Sequence, residues 1–119
     1  MTLFEEGIEF YQAEKYAEAY KCFENAAENG NADAMYRIAL HYDLGRGVGQ
    51  DNIKAVEWCE KAAELGVGDA MFTIGQYYYD GSGVERDLTK ARMWLERAWA
   101  MGKSLSRYLL KKIDTEESE

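Results

Sequence analysis

The chain has 119 residues, of which 47% are hydrophobic and 30% are charged, and its formal net charge is −8. The composition is that of a soluble globular domain, and the acidic balance argues against binding to nucleic acid, whose phosphates attract basic proteins. The first residues, "MTLFEEGIEFYQ", lack a basic segment before an apolar one, and no stretch approaches the roughly 20 apolar residues of a membrane span, so we expect neither a secretory signal nor membrane insertion.

Seven helices are predicted in chain order from the spacing of apolar and alanine residues. They cover residues 3–12, 16–29, 33–44, 52–65, 69–80, 88–101 and 104–113. The third of them has the i, i+3, i+4, i+7 spacing of an amphipathic helix at Met35, Ile38, Ala39 and Tyr42. The absence of proline from the whole chain also favours helices.

The middle of the chain repeats with a fixed period of 36 residues, without a gap from residue 33 to residue 104. The segment "GRGVGQDNIKAVEW", which begins at Gly45, recurs as "GSGVERDLTKARMW", which begins at Gly81. A period of this length is typical of stacked repeats. We interpret the Gly-x-Gly segment as a sharp connector between the first and second helix of each unit, because glycine adopts backbone angles that other residues avoid.

Capping residues flank the second helices of these units. Asp51 and Asp87 stand directly before two of them, and we predict that their carboxylates accept hydrogen bonds from the free N–H groups of the first turn. Helix stops are predicted at Gly30, Gly66 and Gly102, since glycine tolerates the left-handed conformation that ends many helices.

The repeated unit resembles the Sel-1-like repeat, a relative of the tetratricopeptide repeat. In the first full unit the matching residues are Ala34, Ile38, Tyr42, Gly45, Gly47, Val48, Asp51, Lys54, Ala55, Trp58, Lys61, Ala62 and Gly66. The pattern recurs from Ala70 to Gly102, whereas residues 1–30 are similar to a plain tetratricopeptide unit without the four-residue Gly-x-Gly-Val insertion. The resemblance implies a right-handed helical solenoid in which the first helices of the units line a concave face.

We therefore predict an all-α fold, a right-handed solenoid of helical hairpins that forms one domain over residues 1–113. Its predicted parts are a tetratricopeptide-like unit (1–32), two Sel-1-like repeats (33–68 and 69–104), a capping helix (105–113) and, beyond the domain, an acidic disordered tail (114–119). The last helix is interpreted as a cap because Arg107 and Lys111 stand where the preceding unit has Met71 and Gly75, and the final unit of a solenoid needs a polar outer side.

Trp99 departs from the repeat, because its counterparts are the small residues Ala27 and Ala63. We expect its ring to lie beneath the capping helix, against Leu105 or Leu109. The alternative is an exposed ring that marks an end-to-end contact.

The sequence offers no constellation of residues for catalysis, for a metal or for a cofactor, so we predict that the protein is not an enzyme. His41 is the only histidine, and its counterpart in the next unit is Tyr77, which favours an ordinary surface or edge position. Cys22 and Cys59 are too few for a disulfide framework, so we predict free thiols and a cytoplasmic location. The penicillin-binding properties of the cysteine-rich branch of the family do not carry over, because no first helix here contains cysteine.

The predicted function is that of an adaptor or scaffold that holds a segment of another protein in the concave groove. The groove residues implied by the resemblance are Phe4, Ile8, Tyr11, Tyr36, Leu40, Asp43, Phe72, Gln76, Tyr79 and Asp80. These apolar and acidic side chains favour an apolar and basic segment as the partner, although some rings could instead pack between adjacent first helices.

A dedicated inhibitor, such as an immunity protein that covers a toxin or enzyme, is the alternative function. The oligomeric state is left open, with a monomer as the default.

Charge is unevenly distributed along the chain. Residues 1–66 contain 13 acidic and 6 basic residues, whereas residues 67–113 contain 5 acidic and 8 basic residues. This distribution is interpreted either as a contribution to solubility or as a dipolar surface that orients a charged partner.

Overall fold

The computed structural model describes residues 1–118, and every regular element in that part of the chain is an α-helix. The seven helices are α1 (Leu3–Gln12), α2 (Tyr16–Glu28), α3 (Ala32–Leu44), α4 (Asn52–Glu64), α5 (Gly68–Asp80), α6 (Leu88–Ala100) and α7 (Leu105–Glu117). The all-α prediction is confirmed, and all predicted boundaries agree within one residue except the end of the last helix.

The helices form three hairpins, α1–α2, α3–α4 and α5–α6, which stack in chain order into an elongated body of 49 × 27 × 22 Å. The second helix of each hairpin packs against the first helix of the next, and α7 takes the first-helix position after the third hairpin. Each hairpin therefore buries apolar area only against its immediate neighbours, as expected for stacked repeats.

The helix caps follow the predicted pattern. The carboxylates of Asp51 and Asp87 accept hydrogen bonds of 3.0 Å from the backbone N–H groups of Lys54 and Lys90, respectively. Each bond satisfies one of the free N–H groups in a first helical turn and stabilises the helix by about 1 kcal/mol.

Each Gly-x-Gly connector makes a contact with the preceding repeat that the sequence pattern did not reveal. Its first glycine ends the first helix in the left-handed conformation, as Gly81 does with a φ of 71°. The second glycine also has a positive φ, and it lies directly on the first turn of the second helix of the preceding hairpin. A Cβ atom on Gly47 would lie 2.4 Å from the carbonyl oxygen of Tyr16, and one on Gly83 would lie 2.4 Å from that of Asn52. The connector thus requires glycine for packing between repeats as well as for chain reversal.

The core runs along the stack between the two layers of helices. Fully buried side chains come from successive hairpins and from the last helix, among them Phe23, Ile38, Ile74, Leu95 and Ile113. Small residues occur where the two helices of a hairpin approach each other closely. Gly75 is an example, because a Cβ atom at this position would lie 2.8 Å from the Cγ atom of Leu95.

The prediction of a surface or edge position for His41 is wrong, because the residue is only 1% exposed. Its imidazole packs edge-on against the rings of Tyr11, Tyr20 and Phe23, with ring centroids 5.5–5.8 Å away. Nδ1 donates a hydrogen bond of 2.6 Å to the carbonyl oxygen of Arg46. The ring is buried because its helix face meets the first hairpin, a neighbour that local sequence does not specify.

Lowering the pH should therefore destabilise the protein through His41. Burial and the nearby charges of Arg37 and Arg46 lower the pKa of this imidazole below its ordinary value of 6.5, outweighing the hydrogen bond to the Arg46 carbonyl, which raises it. As the pH falls below about 6.5, the unfolded state takes up a proton before the folded state does, so the free energy of unfolding decreases. It decreases until the pH reaches the lowered folded-state pKa and then levels off.

Urea titrations of the wild type and of His41→Phe between about pH 7.5 and pH 5 would measure this effect. The variant is expected to be less stable at neutral pH, because the hydrogen bond to the Arg46 carbonyl is lost, but its stability should fall less steeply over this range. Parallel curves for the two proteins would contradict the prediction.

The expectation that Trp99 lies beneath the last helix is also wrong, since the residue is 46% exposed. Its ring lies at the surface, with the guanidinium carbon of Arg107 6.0 Å from the ring centroid. An indole is much larger than the alanines at the equivalent positions, Ala27 and Ala63, both of which are buried. The alternative expectation, that the Trp99 ring is exposed, is therefore confirmed.

The last helix does not end at residue 113, as the sequence predicted, but continues to Glu117. Two arginines form ion pairs with residues of the segment 114–119, which was expected to be disordered. Arg86 pairs with Glu116 at 2.6 Å, and Arg92 pairs with both Asp114 and Glu117. These ion pairs are at the surface and individually weak, but together they place acidic residues of the helix against bases of the third hairpin. Glu119 lies outside the described residues.

Candidate protein-binding surface

All ten predicted groove residues lie on the first helices of the hairpins, α1, α3 and α5. Eight of them are half-buried and two are exposed, Gln76 and Asp80. The structure therefore brings the predicted set onto one row of helices, but the members differ in how far a partner could reach them.

Three of the predicted aromatic residues, Tyr11, Tyr36 and Tyr79, contact the next repeat along the stack. The hydroxyl of Tyr36 is hydrogen-bonded to Thr73 Oγ1 at 3.0 Å, which joins α3 to α5. The hydroxyl of Tyr79 donates a 2.7 Å hydrogen bond to Glu116 Oε1, which joins α5 to α7. These rings pack between neighbouring first helices rather than standing free, and a role for them in partner binding stays a prediction.

The environment of Tyr79 is polar as well as aromatic. Its hydrogen bond to the Glu116 carboxylate raises the pKa of the Tyr79 phenol, because ionisation would place two negative charges together. The guanidinium carbon of Arg86 lies 5.2 Å from the centroid of the same ring, and Arg86 also donates a 2.8 Å hydrogen bond to the backbone carbonyl of Tyr79. Sequence reasoning missed both partners, because Glu116 is 37 residues further along the chain and Arg86 reaches Tyr79 only through the fold of the connector after α5.

Three side chains at equivalent positions of the first helices form a row with one member per hairpin. Ile8 and Leu40 are half-buried and Gln76 is exposed, and the three occupy equivalent positions on α1, α3 and α5. Near the ends of the first helices, Leu44 and Asp80 are exposed. We call Ile8, Leu40 and Gln76 the first-helix row.

Phe72 lies at the edge of a shallow depression of about 220 Å³ between the start of α5 and the turn before α7. Leu105 lines the depression together with Phe72, as do Asp69 and Lys103, which form an ion pair of 2.9 Å. This depression offers a second apolar contact beside the first-helix row.

Within residues 1–118, no group of three or more histidine, cysteine or acidic side chains is placed to hold a metal ion. Cys22 and Cys59 are unpaired. The Cys59 thiol is buried and donates a 3.4 Å hydrogen bond to the carbonyl oxygen of Ala70, and burial raises the pKa of this thiol, which makes it a poor nucleophile. Among the described helices, none combines the length and apolar character that crossing a membrane requires.

The fold and this surface define a class of protein, the α-solenoids built from stacked helical hairpins. The Sel1 repeat family model matches the chain three times, over residues 3–31, 32–67 and 68–103. The protein therefore belongs to the Sel1 repeat family. The first match includes the shorter hairpin that lacks the Gly-x-Gly-Val insertion.

Solved structures of similar proteins have the same fold. A Sel1 repeat protein from Oxalobacter formigenes is 34% identical with a TM-score of 0.82, over 87% of this chain and 42% of that one. The protein c5321, a protective antigen of uropathogenic Escherichia coli strains with an SLR fold, is 30% identical with a TM-score of 0.84, over 87% of this chain and 23% of that one. The chain thus spans less than half the length of either protein.

Cysteine-rich protein B of Helicobacter pylori is 24% identical with a TM-score of 0.74, over 78% of this chain and 70% of that one, and the likeness shows the fold alone. A comparison with curated proteins gave no significant match.

Proposed function

We propose that this protein is a non-catalytic adaptor that binds an extended segment of another protein along α1, α3 and α5. The observation that carries this proposal is the first-helix row, which presents one reachable side chain from each hairpin at an equivalent position. Equivalent positions on stacked repeats form an extended binding surface, and the family resemblance implies that the first helices line the concave side.

The charge beside this row favours a partner segment that combines apolar and basic residues. Asp80 is exposed at the end of α5, and Asp43 is half-buried near the end of α3. Carboxylates at the rim of an apolar surface steer a basic ligand and add specificity more than affinity. The net charge of −8 likewise favours a basic protein segment over a nucleic acid.

A cytoplasmic location is part of the proposal. The buried Cys59 thiol and the half-buried Cys22 are unpaired, which suits a reducing compartment.

Affinity capture from a lysate, quantified by mass spectrometry, would test the proposal by comparing two matched pairs of variants. Leu40→Ala removes an apolar member of the row, and Leu65→Ala removes an exposed leucine from the end of α4 instead. Asp80→Lys reverses a charge beside the row, and Glu57→Lys makes the same change on the exposed side of α4. We expect the first member of each pair to lose the captured protein and the control to retain it.

Once the captured protein is purified, titration should show that Leu40→Ala weakens binding by about 2 kcal/mol, which corresponds to roughly thirtyfold. Phe72→Ala should weaken binding similarly if the segment reaches the depression near Lys103. Tyr79→Ala is a poorer test, because it also breaks the hydrogen bond to Glu116. Unchanged binding by both Leu40→Ala and Asp80→Lys would show that the partner binds elsewhere.

A further inference from the structure

The C-terminal end of the solenoid exposes a group of large apolar side chains. Trp99, Met101, Leu105 and Tyr108 are 46–67% exposed and come from α6, the turn after it and α7. Apolar side chains exposed together in this way are typical of contact sites. We call these four residues the C-terminal patch.

Three basic residues lie beside the C-terminal patch. The Arg107 guanidinium carbon lies 6.0 Å from the centroid of the Trp99 ring, and Lys112 Nζ lies 5.2 Å from the centroid of the Tyr108 ring. Lys111 is exposed on the same helix. The patch therefore combines aromatic surface with positive charge.

The opposite end of the solenoid carries an acidic depression of about 480 Å³. It is lined by Glu6, Glu9, Phe10, Ala13 and Lys15, which belong to α1 and the turn after it. We call it the N-terminal depression. Phe10 and Ala13 supply its apolar part, and Lys15 is the one base among these lining residues, so it offers a complementary surface to an aromatic ring flanked by cations.

Both surfaces occupy positions that face a neighbouring repeat elsewhere in the stack. Phe10 is the counterpart of Tyr42 and Tyr78 in the longer hairpins, and their hydroxyls are hydrogen-bonded to Tyr20 and Glu60 on the preceding second helix. At the other end, the counterpart of Tyr108 two units earlier is Tyr36, whose hydroxyl reaches Thr73 on the next first helix. Residues at these two positions thus ordinarily pack against another repeat.

We propose that the C-terminal patch of one copy binds the N-terminal depression of a second copy, so that the protein associates head to tail. Arg107 and Lys111 would then face Glu6 and Glu9 of the second copy. A symmetric contact between two C-terminal patches would instead bring like charges together, which disfavours it. A head-to-tail contact leaves one free surface at each end and extends into open chains. Both surfaces are separate from the first-helix row on which the proposed function rests, and the patch shares only Leu105 with the depression beside Phe72.

Sedimentation equilibrium of the purified chain would measure the association. At low salt, we expect the weight-average mass to rise above the 13.6 kDa of the monomer as the concentration approaches the millimolar range. Raising the ionic strength to about 0.5 M should weaken the association by about tenfold, because the contact pairs exposed charges. A mass that stays at 13.6 kDa at low salt up to millimolar concentration would overturn the proposal.

Two charge-reversed variants distinguish a head-to-tail contact from a symmetric one. Glu6→Lys combined with Glu9→Lys blocks only the N-terminal depression, and Arg107→Glu combined with Lys111→Glu blocks only the C-terminal patch. Each variant alone should remain a monomer, because both of its end surfaces then carry charge of the same sign. An equal mixture should associate again, because the unchanged surfaces pair as in the wild type and the reversed surfaces of the two variants are also opposite in charge. Circular dichroism checks that both variants keep the helical content of the wild type.

Failure of the mixture to pair, or association of either variant alone to the wild-type extent, would show that these two surfaces do not meet. Trp99→Ala tests the apolar part of the contact. It should weaken self-association by tenfold or more while the unfolding midpoint stays within error of the wild type, since the ring lies at the surface. Wild-type association of Trp99→Ala would contradict the inference.

Discussion

Replacing Gly83 with alanine is expected to lower the free energy of unfolding by roughly 2–4 kcal/mol. Two effects add at this position. The backbone has a φ of 73°, where a side chain is strained, and the new Cβ atom would lie 2.4 Å from the carbonyl oxygen of Asn52. That oxygen belongs to the first turn of α4, so relief of the clash requires the connector and the preceding hairpin to move apart.

Two other glycines separate these effects. Gly30 has a φ of 89° but nothing within 4 Å of a Cβ atom, so Gly30→Ala reports the backbone strain alone and should cost about 1 kcal/mol. Gly49 has neither feature, and Gly49→Ala should be neutral or slightly stabilising, since alanine restricts the unfolded chain. Urea or thermal denaturation of the three variants measures the series. Equal stability of Gly83→Ala and Gly30→Ala would mean that the contact between repeats contributes nothing.

The Ile113→Ala variant is expected to be less stable than the wild type by about 2–4 kcal/mol, because it leaves a cavity in a fully buried site. Ile113 is the last fully buried side chain of α7, and it joins the core formed by the second and third hairpins. The prediction therefore tests whether α7 is an integral part of the cooperative unit, including the turn beyond residue 113 that the sequence assigned to a disordered tail.

Leu105→Ala is the matched control, because it truncates an apolar residue of the same helix that is 67% exposed. It should change the free energy of unfolding by less than about 1 kcal/mol. Chemical denaturation followed by circular dichroism gives both values. A loss for Ile113→Ala as small as that for Leu105→Ala would indicate that α7 separates from the solenoid before the hairpins unfold.

The expected losses of stability are larger at junctions between repeats than on the first-helix row, because of how the repeats of a solenoid contact each other. Each hairpin contacts only its neighbours, so a substitution at the junction between repeats weakens the coupling that makes the stack unfold as one. Gly83 lies at one such junction and Ile113 at another. Substitutions on the first-helix row, such as Leu40→Ala, change a half-buried side chain within one repeat and should affect binding more than stability.

The sequence by itself determined the helices, their order and the repeat. These features depend on local chemistry: the apolar spacing within each helix, the carboxylates of Asp51 and Asp87 at helix starts, and glycines at helix ends. The same apolar, capping and glycine residues occur at equivalent positions in two successive repeats. The helix boundaries assigned in one repeat can therefore be checked against those of the other. The Sel-1-like resemblance rests on this regularity, and the family match confirms it over residues 3–103.

Only the tertiary structure decided which surfaces are open. His41 and Trp99 differ from their sequence-based expectations, because exposure depends on the element that packs against a residue. Tyr79 is bonded to Glu116, 37 residues further along the chain, and the ion pairs that extend α7 to Glu117 likewise join distant residues. Repeat alignment places equivalent positions on one face, but it cannot specify a neighbour at the end of the stack, where the pattern stops repeating. The exposure of the two end surfaces and of the first-helix row is therefore defined only when the hairpins are packed together.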